Sequence, residues 1–310
     1  MSESSRVETI KKKKNIIRIS KLVFKHIVVV TAALFFAFPL LWMFMTSFKT
    51  PKEYYKMPPS FFPSQVHLLH YRGAFAPWSI DPNELSDSKY FIEESAGRVE
   101  SVVPNIFNSF FIVGGAVLIS LTVGSLAAYA LSRFKFAGSE SMGLQILATR
   151  MMPPIVIAVP MFWMLRSVGL VGTYLGLILI YVLLQLPFVV WMMKGFFDDI
   201  PPAIEESVLI DGGSRMTSLI RVIIPLAFPG VVATALFCIF MTWTEFLFAS
   251  LITDSSTATL PVVLSNFRQD RGILWGQMSA VMVVSLLPLM IIAMILQKRM
   301  IQGLTAGSIK

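Results

Sequence analysis

Charge is scarce in this 310-residue chain. Asp, Glu, Lys and Arg together make up 14% of it, where a soluble domain carries about 25%. With 55% hydrophobic residues and a mean hydropathy of +0.71, the shortfall excludes an ordinary soluble domain and argues for a multi-spanning membrane protein. Cysteine is nearly absent. Cys238 stands alone, so no intrachain disulfide can form, and its apolar surroundings make it a packing residue. The three histidines are His26, His67 and His70. His67 and His70 have the spacing of one helical face but lack a third ligand, so they read as a solvated pair and no metal site is expected. No Gly-x-x-x-x-Gly-Lys-Ser/Thr phosphate loop occurs, so the chain is not expected to bind ATP itself. No zinc-ligand spacing and no nucleophile elbow occur either, and no catalytic residue is assigned. The basic start and first apolar run lack a small-residue cleavage site, which makes that run a retained span.

What the chain does have is long apolar runs. A bilayer core needs roughly 20 apolar residues in a helix. Six candidates meet that length: His26 to Phe48, Ser101 to Ser132, about Met142 to Leu165 (interrupted by Arg150), Ser167 to Met193, Val222 to Thr244 and Gly272 to Gln297. The expected fold is all-α, with six transmembrane helices. The net charge of +8 is no nucleic-acid signal, because it gathers at the amino end: residues 1–25 hold eight Lys and Arg against Glu3 and Glu8. A basic tail before the first span places it in the cytoplasm and suits anionic lipid. Six crossings return the carboxyl end, residues 300–310, to the same side. Arg133, Lys135, Lys194, Lys298 and Arg299 flank the spans consistently with that orientation. The external loop 49–104 is near neutral and rich in proline and aromatics, which suggests an ordered cap.

The most informative stretch lies between spans four and five, at 194–225. Pro201-Pro202 can open a helix. Ala203 to Ile210 then puts Ile204 and Val208 on an apolar side, with Glu205 and Glu206 in the first turns where the dipole favours acid. Gly212-Gly213 stops this helix, and Ser214 can cap a second one running past Arg215 and Arg221 to Pro225. An interfacial segment lying on lipid would favour Lys and Arg. From Lys194 to Arg221 there are three basic residues against five acidic ones, which suits a protein groove better than an anionic leaflet.

This loop resembles the EAA loop of binding-protein-dependent ABC importer permeases: Glu-Ala-Ala, three residues, Gly, nine residues, then Ile-x-Leu-Pro. Glu206, Ser207 and Val208 take the first three places, Gly212 the glycine, and Val222-Ile223-Ile224-Pro225 the end. Ser207 and Val208 depart from the two alanines. The stretch Trp243 to Leu247, Leu274-Trp275-Gly276, Leu287-Pro288 and Gly303-Leu304-Thr305-Ala306-Gly307 are similar to the MalG type of carbohydrate-importer permeases. The resemblance implies an importer transmembrane domain over 26–299 with a coupling helix-turn-helix. Glu205, Glu206, Ser207, Val208, Asp211, Gly212 and Gly213 would contact the ATP-binding subunit. It further implies two such subunits carrying ATP and Mg, a MalF-type second permease, and an extracytoplasmic sugar-binding protein docking across 49–104 and 251–274. Gly303, Thr305 and Gly307 are candidates for tail contacts. Import by alternating access is the expected function, with a glycerol phosphate or polyol as alternative solutes and an ion-coupled secondary transporter as a rival class.

Four intramembrane residues are candidates for a translocation path. Arg150 falls about 12 Å into span three at 1.5 Å per residue. Such charges face a bundle interior or aqueous cavity, or else snorkel to the surface. Pro153 follows it, and broken helices flank substrate paths in transporters. Gln185 is a lone polar residue in span four. Glu245, some 23 residues into span five, is expected at the outer face, as a solvated carboxylate or as a contact with the binding protein or second permease.

Overall fold

The computed structural model describes residues 3–79, 101–269 and 272–306. Four helices in it are long and apolar enough to cross a membrane unbroken. The first, α1 (Glu3–Thr46), runs without interruption through residues 25 and 26. The others are α4 (Val103–Arg133), α7 (Tyr174–Asp198) and the last, α14 (Trp275–Ala306). Two further crossings, if each is one span, are bent pairs. Ser141–Met151 meets Pro154–Ser167 at 95°, and Arg215–Leu226 meets Phe228–Trp243 at 75°. Short helices α2 (Pro51–Tyr54) and α3 (Leu69–Phe75) lie in the first loop, α13 (Leu260–Asn266) precedes the last span, and the only described strands form a two-stranded antiparallel ribbon of Arg268–Gln269 and Gly272–Ile273.

The breaks follow from proline. A residue preceding proline is pushed out of the α region. Met152 (ψ 125°) precedes Pro153, and Pro153 (ψ 129°) precedes Pro154, so two consecutive residues are forced extended between α5 (Ser139–Ala148) and α6 (Pro154–Ser167). Span three is therefore an elbow, the broken helix that its prolines left open, and not one kinked continuous helix. Span four also starts later than expected, at Tyr174, because Gly169 and Gly172 take positive φ in the turn before it. In span five, Pro229 has no N–H for a bond back to Pro225, and the chain turns at Ala227 between the short α10 (Ile224–Leu226) and α11 (Phe228–Trp243).

Helices α4 and α7 share the most extensive packing in the fold. A Cβ built on Gly124 would stand 2.5 Å from Val189 Cγ1, so this close approach requires glycine, as small residues generally permit between membrane helices. By contrast, α1 exposes Leu34, Phe35, Phe36 and Phe38, as a helix solvated by lipid does.

The first loop is ordered around buried polar groups. Lys49 Nζ donates to Ser60 O (2.6 Å) and stands 4.3 Å over the Trp42 ring. His70 is buried, within 2.8 Å of Lys49 O and 2.6 Å of Tyr54 Oη. This corrects the expectation of a solvated histidine pair. Helix α3 packs on α14, and a Cβ on Gly276 would meet the His70 ring and Tyr54 Oη. Burial first, and the nearby His67, hold the His70 pKa down at about 4. The unfolded chain takes up a proton near the ordinary value of about 6.5, while the folded cap does not until about pH 4. Cap stability therefore falls as pH drops through that window. Glu53, held near 2 by bonds from Thr50 and Ser64 that outweigh its burial, stays ionised throughout it. Amide protection factors over residues 49–75, exchange rates corrected for the intrinsic rate at each pH, should fall between pH 7.5 and 5, and His70→Gln should remove that pH dependence. Unchanged protection in the native chain would count against the buried neutral imidazole.

Candidate functional site

The loop at 194–225 folds as helix, glycine turn, helix. Pro202 opens α8 (Pro202–Ile210) at its first position, where a missing N–H costs nothing. Gly212 closes it with φ +83°, bonding back to Leu209 O at 3.1 Å. Gly213 N bonds to Val208 O at 2.9 Å, and its own Cβ position is filled by Val208. The Ser214 side chain accepts from Thr217 N at 3.1 Å and so caps α9 (Arg215–Ser218). A π-helical turn, Leu219–Ile223, carries the chain on towards Pro225.

Glu206, Ser207, Asp211 and Gly212 are exposed, and Val208 and Gly213 are partly covered. Ile210, an apolar side chain on the same short helix, is 85% exposed. Glu205 departs from the expectation that it shares the docking face with Glu206. It is 3% exposed and turns into the bundle. Its Oε2 lies 3.0 Å from Arg133 Nε and its Oε1 3.3 Å from Arg215 Nη1. The Tyr129 hydroxyl donates to Oε1 as well. Arg133 Nη2 also donates to Phe197 O and Ile200 O, both at 2.9 Å. Phe197 lies in the last turn of α7 and Ile200 just past its end, where helical partners run out. Ser132 Oγ donates to Asp198 Oδ1 at 2.6 Å, and Lys194 pairs with Asp198 at 2.6 Å. The loop helix is thus tied to the ends of α4 and α7. Sequence reasoning assigned Arg133 only a flanking role. The signal available was that Tyr129 and Arg133 are four apart and share one face of α4.

Three of the four path candidates converge on one cavity of about 480 Å³, formed where the elbow of span three meets α7 and α11. Arg150, Gln185 and Glu245 all line it, with Thr242, Tyr181, Pro187, Met161, Met241 and Phe248 among the remaining wall. Arg150 sits in the 3-10 turn of the elbow itself, Thr149–Met151. Its Nη2 is 3.7 Å from Met241 Sδ, and its guanidinium stands 5.3 Å from the Phe188 ring centre. Among the described residues it makes no ion pair. Pro153 does not line the cavity; it sets the elbow beside it. Gln185 Nε2 donates to Thr242 Oγ1.

Glu245 is not a free solvated carboxylate. It accepts from Phe248 N (3.0 Å), Ala249 N (3.2 Å) and Tyr181 Oη (3.0 Å). It thereby caps the short helix α12 (Leu247–Ile252), as an acidic side chain does at a helix start. At the carboxyl end, Gly303 and Thr305 belong to α14, which continues to Ala306. Gly307 lies outside the described residues.

Residues 120–305 match the model of a family described as binding-protein-dependent transport system inner membrane component. The chain is 32% identical over 274 residues to the inner membrane ABC transporter permease protein YcjP of Escherichia coli K12, covering 88% of this chain and 91% of that one. It is 32% identical over 294 residues to the trehalose/maltose transport system permease protein MalG of Thermococcus litoralis, covering 93% and 98%. Among solved structures, a chain of a bacterial ABC transporter involved in the import of the acidic polysaccharide alginate superposes with a TM-score of 0.68 at 20% identity, over 96% of this chain and 98% of that one. That likeness supports the fold.

Proposed function

We infer that the chain, which belongs to the family of binding-protein-dependent transport system inner membrane components, is a membrane-spanning permease of an ABC importer whose solute is a sugar. The observation that carries the importer reading is the α8–Gly212–α9 element. It presents Glu206, Ser207, Asp211 and Ile210 outward while Glu205 ties it to the bundle. The Thermococcus relative, named for trehalose and maltose transport, supports a sugar.

The chain works by alternating access and performs no covalent chemistry. ATP and Mg belong to the ATP-binding subunits, two copies of which seat the exposed face of α8. A MalF-type second permease completes the membrane pore. A sugar-binding protein delivers solute from outside, across the first loop and the loop after α12. No nucleic acid is involved. Both termini face the cytoplasm, a placement supported by the eight basic residues before position 26 and by Lys298 and Arg299. The solute passes the cavity beside Arg150, and movement of α8 is carried through Glu205 and Arg133 into α4 and α7.

The experiment is a mild-detergent pull-down from native membrane with mass spectrometry of the captured proteins. Co-purification of an ATP-binding subunit, a second permease and a solute-binding protein is the expected result. Recovery of this chain alone, active in vesicles without ATP, would replace the importer with an ion-coupled carrier.

A further inference from the structure

The loop that follows the first span turns back onto it. Residues Met57 to Val66 read Met-Pro-Pro-Ser-Phe-Phe-Pro-Ser-Gln-Val and carry no charge. The Phe61 ring stacks on Phe38 at 5.8 Å between centres and lies 5.8 Å from the Trp42 ring. Trp42 and Phe38 stand one and two turns before Thr46, the last residue of α1, or about 6 and 12 Å along the axis at 1.5 Å per residue. Tryptophan gathers at the membrane–water interface. Trp42 therefore marks that level, and Phe61 reaches from it towards the turn below.

The polar groups of the loop are met from the protein side. Lys49 is 2% exposed, and its ammonium donates to Ser60 O while standing over Trp42. Ser64 N donates to Glu53 Oε1 at 2.7 Å, and His67 N to Phe48 O at 3.3 Å. Pro58, Pro59 and Pro63 have no N–H to leave unmet. A backbone close to hydrocarbon needs its polar groups satisfied in this way.

The apolar side chains of the loop are left uncovered. Met57 is 89% exposed and Phe62 69% exposed. Phe62 meets the Phe61 ring edge-on at 5.1 Å, so its surface runs without a break into that of α1, where Phe38, Leu40, Leu41 and Phe44 are exposed as well. A surface bathed in water rarely carries so continuous an apolar patch.

We propose that Met57 and Phe62 form a wedge that enters the leaflet nearest the first loop and anchors that loop to lipid. The occupant of the patch is the acyl region just beneath the phospholipid headgroups, at the depth of about 5–10 Å that interfacial segments reach. A docked binding protein is the rival occupant. Lipid is favoured by the contact of Phe61 with a membrane helix below its end. It is favoured too by the lack of any charge from Met57 to Val66, since transient protein interfaces keep a polar rim. The wedge requires only that α1 crosses the membrane, so it stands apart from the importer reading. Lipid then sets the height of the cap built on Lys49 and His70.

The test uses the whole complex in nanodiscs of phosphatidylethanolamine and phosphatidylglycerol, first without the binding protein and then with it. Met57 or Phe62 is replaced by the photoreactive residue p-benzoyl-phenylalanine, which inserts into carbon–hydrogen bonds next to it. Mass spectrometry of the irradiated chain identifies the adduct. Phospholipid acyl adducts should dominate at both positions, and adding the binding protein should not diminish them. The same residue at Ile210, in the loop between spans four and five, is the control and should give no lipid adduct. Adducts chiefly to the binding protein, adducts chiefly to a second permease, or no adduct at all overturn the proposal.

If neither substituted chain assembles, hydroxyl-radical labelling of the native complex carries the test. In the same nanodiscs without the binding protein, Met57 should be labelled several-fold less than Trp78, although both side chains are highly exposed in the chain alone. Equal labelling of the two overturns the wedge.

Discussion

Gly212→Val leaves the chain inserted and assembled but lowers ATP-driven uptake at least tenfold, on the scale of the backbone strain it introduces. The backbone at Gly212 has φ +83°, a region that costs an L-residue about 1–2 kcal/mol and a β-branched one more. The effect is conformational and not steric, since a Cβ there meets nothing within 4 Å. The strain is relieved by returning φ to negative values, which re-aims α8 against α9. A helix that passes movement from a partner to the bundle must hold that angle. The substitution series has a definite order. Asn tolerates the left-handed region and should stay within about threefold of native uptake, Ala should be intermediate, and Val worst. Gly213 behaves differently. Its Cβ would stand 2.8 Å from Val208 O, so Gly213→Ala disrupts packing whatever its φ. Uptake, ATP hydrolysis and co-purification are measured together in proteoliposomes. Normal uptake by Gly212→Val would remove the fixed turn from the mechanism.

The parts of this architecture legible in the sequence are those set by local chemistry. The Pro202–Ile210 helix and its Ser214-capped successor needed only proline, glycine and serine in fixed order. The four unbroken spans needed only apolar length. The elbow at Met152–Pro153–Pro154 was signalled by its prolines, but composition could not distinguish a kink from a 95° turn, because that depends on what packs against both arms. Glu205 shows the limit more sharply. Beside Ile204 on a nine-residue helix it looks like an ordinary first-turn carboxylate. Its burial is decided by Arg133, 72 positions earlier. Glu245 was read as solvated for a similar reason: counting residues along span five gave its depth, but not the short helix α12 whose free N–H groups donate to it. Arg150, Gln185 and Glu245 were each visible singly as polar residues in apolar runs, and only the packing of three elements brings them to one cavity.

Arg133→Ala is expected to be the most damaging single change around the 194–225 loop. Removing one partner of a buried ion pair typically costs about 3–5 kcal/mol. Here Glu205 would keep only the Tyr129 hydroxyl and Arg215, whose side chain is half exposed. Two helix-end carbonyls, Phe197 O and Ile200 O, would also lose their donor. Arg133→Lys should rescue little, because an ammonium cannot place an Nε on Glu205 and an Nη2 on two carbonyls at once. Glu205→Leu alone leaves Arg133 charged among those carbonyls, and is milder than Arg133→Ala. The double variant Arg133→Met with Glu205→Leu removes both charges and keeps side-chain volume, so it should regain much of the lost stability. It should not regain transport, since an apolar contact does not tie α8 to the carbonyls of Phe197 and Ile200 at the end of α7 and just past it. Thermal unfolding of the purified complex separates the first effect from the second, and uptake reads the second. If the double variant transports at the native rate, the pair holds the fold together without passing movement through it.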